Sequence, residues 1–411
     1  MTRFEVRPHE RRALGWSLLY VFAVLSAYYV LRPIRDEMGV QGGVQNLPWL
    51  FSGTLLGMIA LNPLFALLVK RLPRVLFITL AYRFFALNLH AFLILFSLAS
   101  AEQNVWLGRA FFIWLSVFNL FVVSVFWALM VDVFDTEQGK RLFGFLAAGA
   151  TVGAIAGSAI TASLVRDLGS TTLFFASIAL LEVAVFAVKR LSVNPRPGEE
   201  VPIGGGALAG ISHTLRSPYL LNVCLFILLF TVTSTFLYFQ QATIARDYFA
   251  DRASRTAFFA QVDLLVNVLT LAVQLFFTAR ILRKLGVALT LGILPLFTLL
   301  GFAALAAAPV IAVLVAFQVL RRAANFALAR PTRELLFTVL PREDKYKAKS
   351  FIDTVVYRAG DQVGSWSWLV LSAMGLGIAG VAVVAVPLCA LWLANSLWLG
   401  RRQGKMAAVR T

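Results

Sequence analysis

Several charged side chains of this chain lie inside long apolar stretches, where charges are rare. Arg32, Arg35 and Asp36 end the first stretch at spacings of three and four residues, so they share one helical face. The planar guanidinium of arginine binds a phosphate or a carboxylate through paired hydrogen bonds. The spacing therefore predicts a binding site for an anionic organic solute, with a carboxylate beside it.

Similar residues recur in the later apolar stretches. A charge at the centre of a bilayer costs about 2.5–3.5 kcal/mol on insertion scales, which makes every such residue a functional candidate. Arginine is unusually frequent among them, which favours an anionic solute. The predicted solute-binding residues are Tyr29, Arg32, Arg35, Arg83, Asn325 and Arg358, and the predicted coupling or ion-pair residues are Asp36, Glu182, Asp263, Asp353 and Asp361.

Ion pairing offers a second interpretation of the same residues. Arg35 could belong to a charge cluster at the membrane surface instead of contacting the solute. Glu182 and Asp263 could each pair with an arginine, or carry a coupling proton, because burial disfavours a charged carboxylate. The sequence leaves open which carboxylate pairs with which arginine.

No motif for enzymatic chemistry accompanies these charges. The patterns GxxxxGK[ST], GxSxG and HExxH are absent from the sequence. Cys224 and Cys389 lie far apart in apolar stretches without CxxC spacing, which argues against a disulfide framework or a zinc site. The sequence therefore predicts a protein that is not an enzyme and that uses no metal or cofactor.

The apolar stretches are long enough to cross a membrane. A hydrocarbon core about 30 Å thick needs about 20 apolar residues per helix, and lipid admits only helices or closed barrels. With 60% hydrophobic residues, 14% charged residues and a mean hydropathy of +0.81, the chain is predicted to be an all-α polytopic membrane protein. Its twelve predicted spans are residues 13–35, 46–69, 75–99, 105–133, 142–165, 171–188, 218–248, 257–279, 287–308, 310–332, 351–373 and 376–399.

The basic residues alternate between the two ends of these spans. Most of the 37 lysines and arginines lie in the two tails and the even-numbered connections, whereas the odd-numbered connections hold only Arg166, Arg252 and Arg255. The positive-inside rule therefore places both termini and the even-numbered connections in the cytoplasm. This topology, with some attraction to membrane lipid, accounts for most of the net charge of +17 and argues against nucleic-acid binding.

A linker divides the spans into two sets of six. Residues 189–217 contain several prolines and a glycine run, without helical or strand periodicity. The sequence predicts an N-terminal six-helix half at 1–188, a cytoplasmic linker at 189–217 and a C-terminal six-helix half at 218–411.

The two predicted halves are similar to each other in sequence. Gly153 and Gly157 recur 207 residues later as Gly360 and Gly364, each pair in the fifth span of its half. Two six-span halves that repeat in parallel are the plan of major facilitator transporters. The repeat therefore predicts the major facilitator fold.

Four stretches carry a family resemblance. They are YYVLRPIRDE (28–37), KRLFGFLAAGATVGAIAGS (140–158), RPTRELLFTVLPREDKYKAKSFID (330–353) and TVVYRAGDQVGS (354–365). Together they resemble the nucleotide (ATP/ADP) translocase family of bacteria and plastids, a branch of the major facilitator superfamily. Known members of that family exchange ATP for ADP or import nucleotides.

The resemblance carries expectations for individual residues. Arg32, Arg35 and Asp36 match a motif of the family's first span, whose basic member is implicated in nucleotide binding. Where the family commonly has glycine, lysine and serine, this chain has Gly360, Asp361 and Gln362, which reverses a charge.

The sequence as a whole predicts a secondary transporter in a bacterial inner membrane. It would import or exchange a nucleotide-like or other anionic organic solute by alternating access, and it would work as a monomer. A proton-coupled transporter or exporter of another organic solute is the first alternative, which a strict dependence on a pH gradient would favour. A membrane scaffold or lipid-handling protein with the same fold is the second.

Overall fold

The computed structural model describes residues 6–191, 214–215, 217–340, 348–349 and 351–408, and these are helical, with no β-strand among them. A 3-10 turn, Pro8–Glu10, precedes the first helix, and π-helical turns occupy Asn325–Ala329 and Ile352–Val356. The helices are α1 (Arg11–Gln41), α2 (Leu47–Arg71), α3 (Arg74–Leu98), α4 (Ala101–Val133), α5 (Thr136–Lys189), α6 (Pro218–Tyr248), α7 (Arg252–Phe276), α8 (Thr278–Ala307), α9 (Ile311–Ala324), α10 (Arg330–Leu336), α11 (Tyr357–Ala373) and α12 (Ile378–Ala408).

In the described part of the chain, ten helical segments are long and apolar enough to cross a membrane. One of them lies in α5 and is interrupted at Gly169, whose φ of 69° is left-handed, so it contains two of the predicted spans. A further segment, α11 with the π-helical turn before it, carries Asp353, Arg358 and Asp361. With these two additions the helices account for the twelve predicted spans, and the all-α polytopic fold is confirmed.

Side-chain caps explain where two of the long helices begin. Ser100 Oγ accepts a hydrogen bond from the Gln103 backbone N–H (3.3 Å), and Gln103 Oε1 accepts one from the Ser100 N–H (2.9 Å). Asp135 and Gln138 form the same reciprocal pair at the start of α5, at 2.8 and 3.0 Å. Each capping box satisfies two backbone donors that a helix start leaves without partners.

The chain divides into two compact units. The first unit comprises residues 1–199 and 249–267, and the second comprises residues 200–248 and 268–411. Residues 249–267 follow the predicted linker in the sequence, but they pack with the first unit. The predicted linker lies outside the described residues apart from its ends, and so do residues 341–347 of the tenth connection.

Small residues hold α1 against α5 in the first unit. A Cβ atom added at Gly153 would lie 2.6 Å from the Phe22 carbonyl oxygen, so the two backbones approach more closely there than a larger side chain permits. Ser26 donates to the Gly153 carbonyl (3.0 Å) and Thr161 donates to the Val30 carbonyl (2.8 Å). These contacts set the position of α1, whose second half carries the predicted site.

The second unit contains a corresponding contact between α6 and α11. A Cβ atom added at Gly364 would lie 3.0 Å from the Cα of Val232 and the Cβ of Thr235. Gly360 meets Thr231 one turn earlier on the same face. The repeated glycines therefore have the same role in both units, since each pair lets a neighbouring helix approach.

Candidate functional site

The second half of α1 carries opposite charges in direct contact. Arg35 donates to Asp36 Oδ1 through Nε (3.0 Å) and Nη2 (2.6 Å), and through Nη1 to Ser116 Oγ of α4 (3.4 Å). Asp36 Oδ2 also lies 4.0 Å from Nε of Arg32. The side chains of Arg32, Arg35 and Asp36 are mostly buried, at 17%, 12% and 7% exposure.

A carboxylate from α7 joins these charges. Asp263 Oδ1 lies 3.3 Å from Nη1 of Arg32, and the Asp263 backbone carbonyl accepts a hydrogen bond from Asn267 (2.8 Å). The Arg32 guanidinium also lies over the ring of Tyr29, 5.4 Å from its centroid. We call this group the Arg32 cluster; its members are Tyr29, Arg32, Arg35, Asp36 and Asp263, all among the predicted site residues.

The Arg32 cluster keeps unused hydrogen-bonding capacity. A guanidinium has five N–H donors, and Arg32 Nε is buried without a hydrogen-bond partner in the described part of the chain. Asp263 lies 3.3 Å from Nη1 and Asp36 lies 4.0 Å from Nε, so both carboxylates face the guanidinium without satisfying the Nε donor. An oxyanion could therefore bind Arg32 in addition to Asp263 or in its place.

A second group of charges lies beyond the Arg32 cluster, at the end of α1. Glu37 Oε2 accepts from Nε of Arg252 (3.2 Å) and Glu37 Oε1 accepts from Nη2 of Arg255 (3.1 Å). Arg255 also donates to the backbone carbonyls of Phe249 and Ala250 (2.9 and 3.0 Å). Glu37 is 2% exposed and Arg255 11%, whereas Arg252 is 50% exposed. We call these three residues the Glu37 clasp, because they tie the end of α1 to the start of α7.

A cap orders the start of α7 beside this clasp. The Asp251 carboxylate accepts a hydrogen bond from the Ser254 backbone N–H (2.7 Å). This hydrogen bond lowers the pKa of Asp251, because it stabilises the charged form. The cap therefore fixes the first turn of α7, from which Arg252 and Arg255 contact Glu37.

Arg83 and Glu182 contact each other and not the Arg32 cluster. Arg83 Nε lies 3.5 Å from Glu182 Oε1, and the two side chains are 55% and 48% exposed. Leu80 and Phe84, which flank Arg83 on α3, are also exposed. The pair thus lies on an exposed apolar face of the first unit.

Three of the four predicted site residues of the second unit, Asp353, Arg358 and Asp361, lie in ion pairs. Arg358 Nη1 donates to Asp361 Oδ2 (3.2 Å), one turn away on α11. Asp353 Oδ1 lies 3.2 Å from Nη2 of Arg333, and Asn325 begins the π-helical turn after α9. Asp361 therefore neutralises the neighbouring Arg358.

One further buried cation, Arg321 of α9, is absent from the residues predicted from the sequence. It is 3% exposed, and its Nη2 donates to Ser234 Oγ of α6 (2.7 Å). Its position in the middle of a predicted span, one turn after the amide of Gln318, is the signal that could have identified it. The frequency of arginine in that span obscured this signal.

Metal chemistry has no support in the described part of the chain. No group of three or more His, Cys, Asp or Glu side chains there could hold a metal ion. The chemistry that this arrangement can perform is reversible binding of an oxyanion by arginine, in competition with buried carboxylates.

Comparison with known families identifies the fold type. Residues 13–343 match the family model described as Major Facilitator Superfamily. The ADP,ATP carrier protein 1 of Chlamydia muridarum is 26% identical over 357 residues, which cover 73% of this chain and 67% of that carrier. The similarity therefore spans about two thirds of the carrier's length.

Solved structures with the same fold are more distant in sequence. A bacterial homologue of the human lysosomal transporter Spinster, in an inward-facing conformation, superposes with a TM-score of 0.65 at 12% identity, covering 98% of this chain and 99% of that one. The nucleoside transporter NupG superposes with a TM-score of 0.60 at 13% identity, covering 96% and 99%. At these identities the likeness concerns the fold alone.

Proposed function

Because the chain belongs to the major facilitator superfamily, we propose that this transporter imports or exchanges a nucleotide-like or other anionic organic solute by alternating access. The observation that carries the proposal is the Arg32 cluster. It combines two guanidiniums, an aromatic ring and an arginine donor that has no hydrogen-bond partner among the described residues, all in a mostly buried position. The similarity to a protein named an ADP,ATP carrier supports a nucleotide as the first solute to test.

Binding would proceed by exchange of partners at Arg32. A phosphate or carboxylate of the solute approaches the Arg32 guanidinium, whose Nε donor has no hydrogen-bond partner among the described residues, and accepts two hydrogen bonds. The solute anion then competes with Asp263, whose Oδ1 lies 3.3 Å from Nη1 of Arg32. Tyr29 offers an aromatic face beside the bound group.

This exchange would couple solute binding to movement of α1 against α7. Arg32 and Asp263 connect the same two helices as the Glu37 clasp does. By the positive-inside rule the connections after α1 and after α6 face away from the cytoplasm, so the clasp lies at the external end. We expect the clasp to hold the external entrance closed, and the loss of the Arg32–Asp263 contact to favour its opening.

Proton coupling is the second candidate, and Asp263 favours it. This carboxylate is 3% exposed and lies beside Arg32 inside a predicted span, and an intramembrane carboxylate is the kind of residue that carries protons in transporters. A transporter that works this way depends on a pH gradient, whereas a strict exchanger depends on a counter-solute. Uptake into proteoliposomes, measured once with only a pH gradient and once with only a counter-solute gradient, distinguishes the two mechanisms.

The basic tails and even-numbered connections support a multi-pass protein of a bacterial inner membrane with both termini in the cytoplasm. The proposed organisation is two six-helix halves, 1–188 and 218–411, with the linker 189–217 in the cytoplasm, acting as a monomer.

Thermal stability of the detergent-purified protein tests the proposal. A ligand that binds the folded state raises the melting temperature by mass action, so a panel of nucleotides, sugar phosphates and carboxylates reports the solute class. We expect a nucleotide to raise the melting temperature of the wild type and of Arg166→Ala, an exposed control, but not of Arg35→Ala. A shift produced only by a different solute class would refute the nucleotide, and no shift with any anion would refute anion transport.

A further inference from the structure

Arg321 is a buried cation without a carboxylate partner in the described part of the chain. Its Nη2 donates to Ser234 Oγ (2.7 Å) and lies 3.3 Å from the Phe230 carbonyl oxygen and 3.4 Å from Thr233 Oγ1. The guanidinium lies over the Phe230 ring, 5.3 Å from its centroid. Its Nε is buried without a hydrogen-bond partner there. These partners supply dipoles and a ring face, but no negative charge.

Two arginines that the sequence predicted to bind solute lie beside acids. Arg32 has Asp263, and Arg358 has Asp361. Removing a charge from water without an opposite charge costs several kcal/mol. Arg321 therefore has the donors and the charge for an anion that the described residues do not supply.

The surroundings of Arg321 are polar on two facing helices. Gln318 lies one turn earlier on α9 and bonds through its amide to Gln241 of α6. Ser234 lies two turns before Gln241 on the same face of α6, so the four side chains form a polar ladder between the two helices. We call Ser234, Gln241, Gln318 and Arg321 the α6–α9 ladder.

Two π-helical turns lie close to this ladder along the chain or in space. The π-helical turn Asn325–Ala329 begins at the end of α9, and the turn Ile352–Val356 ends just before Tyr357. The Tyr357 ring lies 6.1 Å from that of Phe230, on which Arg321 stacks. Single π-helical turns occur often at functional sites, because they re-aim side chains and allow a helix to shift its register.

From these observations we infer that Arg321 binds an oxyanion, a phosphate or carboxylate of the transported solute, in the second unit. The inference rests on the proposed function, because it assigns a further contact to the same solute. The Ser234 hydroxyl, which here donates to the Phe230 carbonyl (2.7 Å), turns its hydrogen to the anion, and the amides of the ladder contact polar atoms next to the anion. Arg321 is only 3% exposed in this structure. The anion therefore binds it in another conformation, in which α6 and α9 have separated around Arg321 and Ser234.

An internal counter-charge provides the sharpest test. In Ser234→Asp a carboxylate takes the place of a hydroxyl that already lies 2.7 Å from the guanidinium. We expect the ligand-free variant to melt at a higher temperature than the wild type, because Arg321 gains an ion pair. We also expect it to bind the oxyanion about ten- to a hundredfold more weakly, the range of one charge-assisted hydrogen bond. Ser234→Asn, which matches the size without the charge, should bind within about threefold of the wild type.

The probes are ADP, glucose 6-phosphate and citrate, titrated onto the purified full-length protein. Equal affinity of Ser234→Asp and the wild type for a bound probe would overturn the inference, while loss of that probe's binding in Arg35→Ala would leave the proposed function standing. A wild type that binds none of the three would overturn both. If Ser234→Asp fails to fold, Arg321→Lys and Arg321→Gln replace it: the lysine should retain part of the affinity that the glutamine loses, and unchanged affinity in both would overturn the inference.

Discussion

Removal of the Glu37 charge should open the contact between the end of α1 and the start of α7. The carboxylate accepts one hydrogen bond from the buried Arg255 and one from the half-exposed Arg252. A buried charge-assisted hydrogen bond contributes about 1.5–3 kcal/mol, and a half-exposed ion pair contributes about 0–1 kcal/mol. Glu37→Gln keeps the shape of the side chain, so we expect it to destabilise the closed arrangement by about 2–3 kcal/mol.

That free energy is large enough to change populations visibly. Each 1.4 kcal/mol changes an equilibrium constant about tenfold, so the ratio of closed to open molecules should fall by about thirty- to a hundredfold. If the wild type is closed by only a few kcal/mol, both states become populated in Glu37→Gln. A substitution that merely weakened the fold would lower the melting temperature without creating a second arrangement.

Spin labels at Gln41→Cys and Ala253→Cys can measure this change, after replacement of Cys224 and Cys389 by alanine. We expect one short distance in the Glu37-containing protein and an added longer distance in Glu37→Gln. Glu137→Gln is the control, because its pair with Arg7 is 72% and 54% exposed and contributes little. An unchanged distance distribution in a folded Glu37→Gln protein would refute the clasp as the element that holds these helices together.

Two further predictions concern stability of the first unit. Asp263→Asn should lower the melting temperature by several degrees, because it leaves the Arg32 guanidinium without its α7 partner. The double variant with Arg32→Gln should recover most of that loss. A loss in the double variant equal to the sum of the losses in the two single variants would show that the pair is not coupled. Gly153→Ala should destabilise the protein by about 1–3 kcal/mol, because the added Cβ meets the backbone of α1. Gly144→Ala, with open space around the added Cβ, should stabilise the protein by about 0.5–1 kcal/mol. Denaturation of both variants in detergent, beside the wild type, measures these differences.

The fold could be predicted from the sequence because its signals are local. The length and hydropathy of an apolar stretch define a span without reference to any other part of the chain. Gly169 interrupts α5 where two predicted spans meet, and the glycines of the repeat pack α5 and α11 against their neighbours. The superfamily membership predicted from the repeat and the quoted motifs is confirmed by the family match.

The candidate site could be predicted only in part. Arg32, Arg35 and Asp36 lie on one face of α1, as their spacing predicts. The association of Arg32 with Asp263 depends on the packing of α7 beside α1, and no periodicity within either helix encodes that contact. Glu37 shows the same limit, since both of its arginine partners lie beyond the predicted linker.

The sequence by itself determined the helices, the faces on which their charges lie and the family, because these depend on composition and spacing along the chain. Only the tertiary structure decided which arginine pairs with which carboxylate. It paired Arg83 with Glu182 on an exposed face and left Arg321 buried among hydroxyls and an aromatic ring. The physical reason is that helical periodicity directs a side chain outward from its own axis, whereas the group that it meets belongs to a helix that is distant in sequence and is positioned by packing.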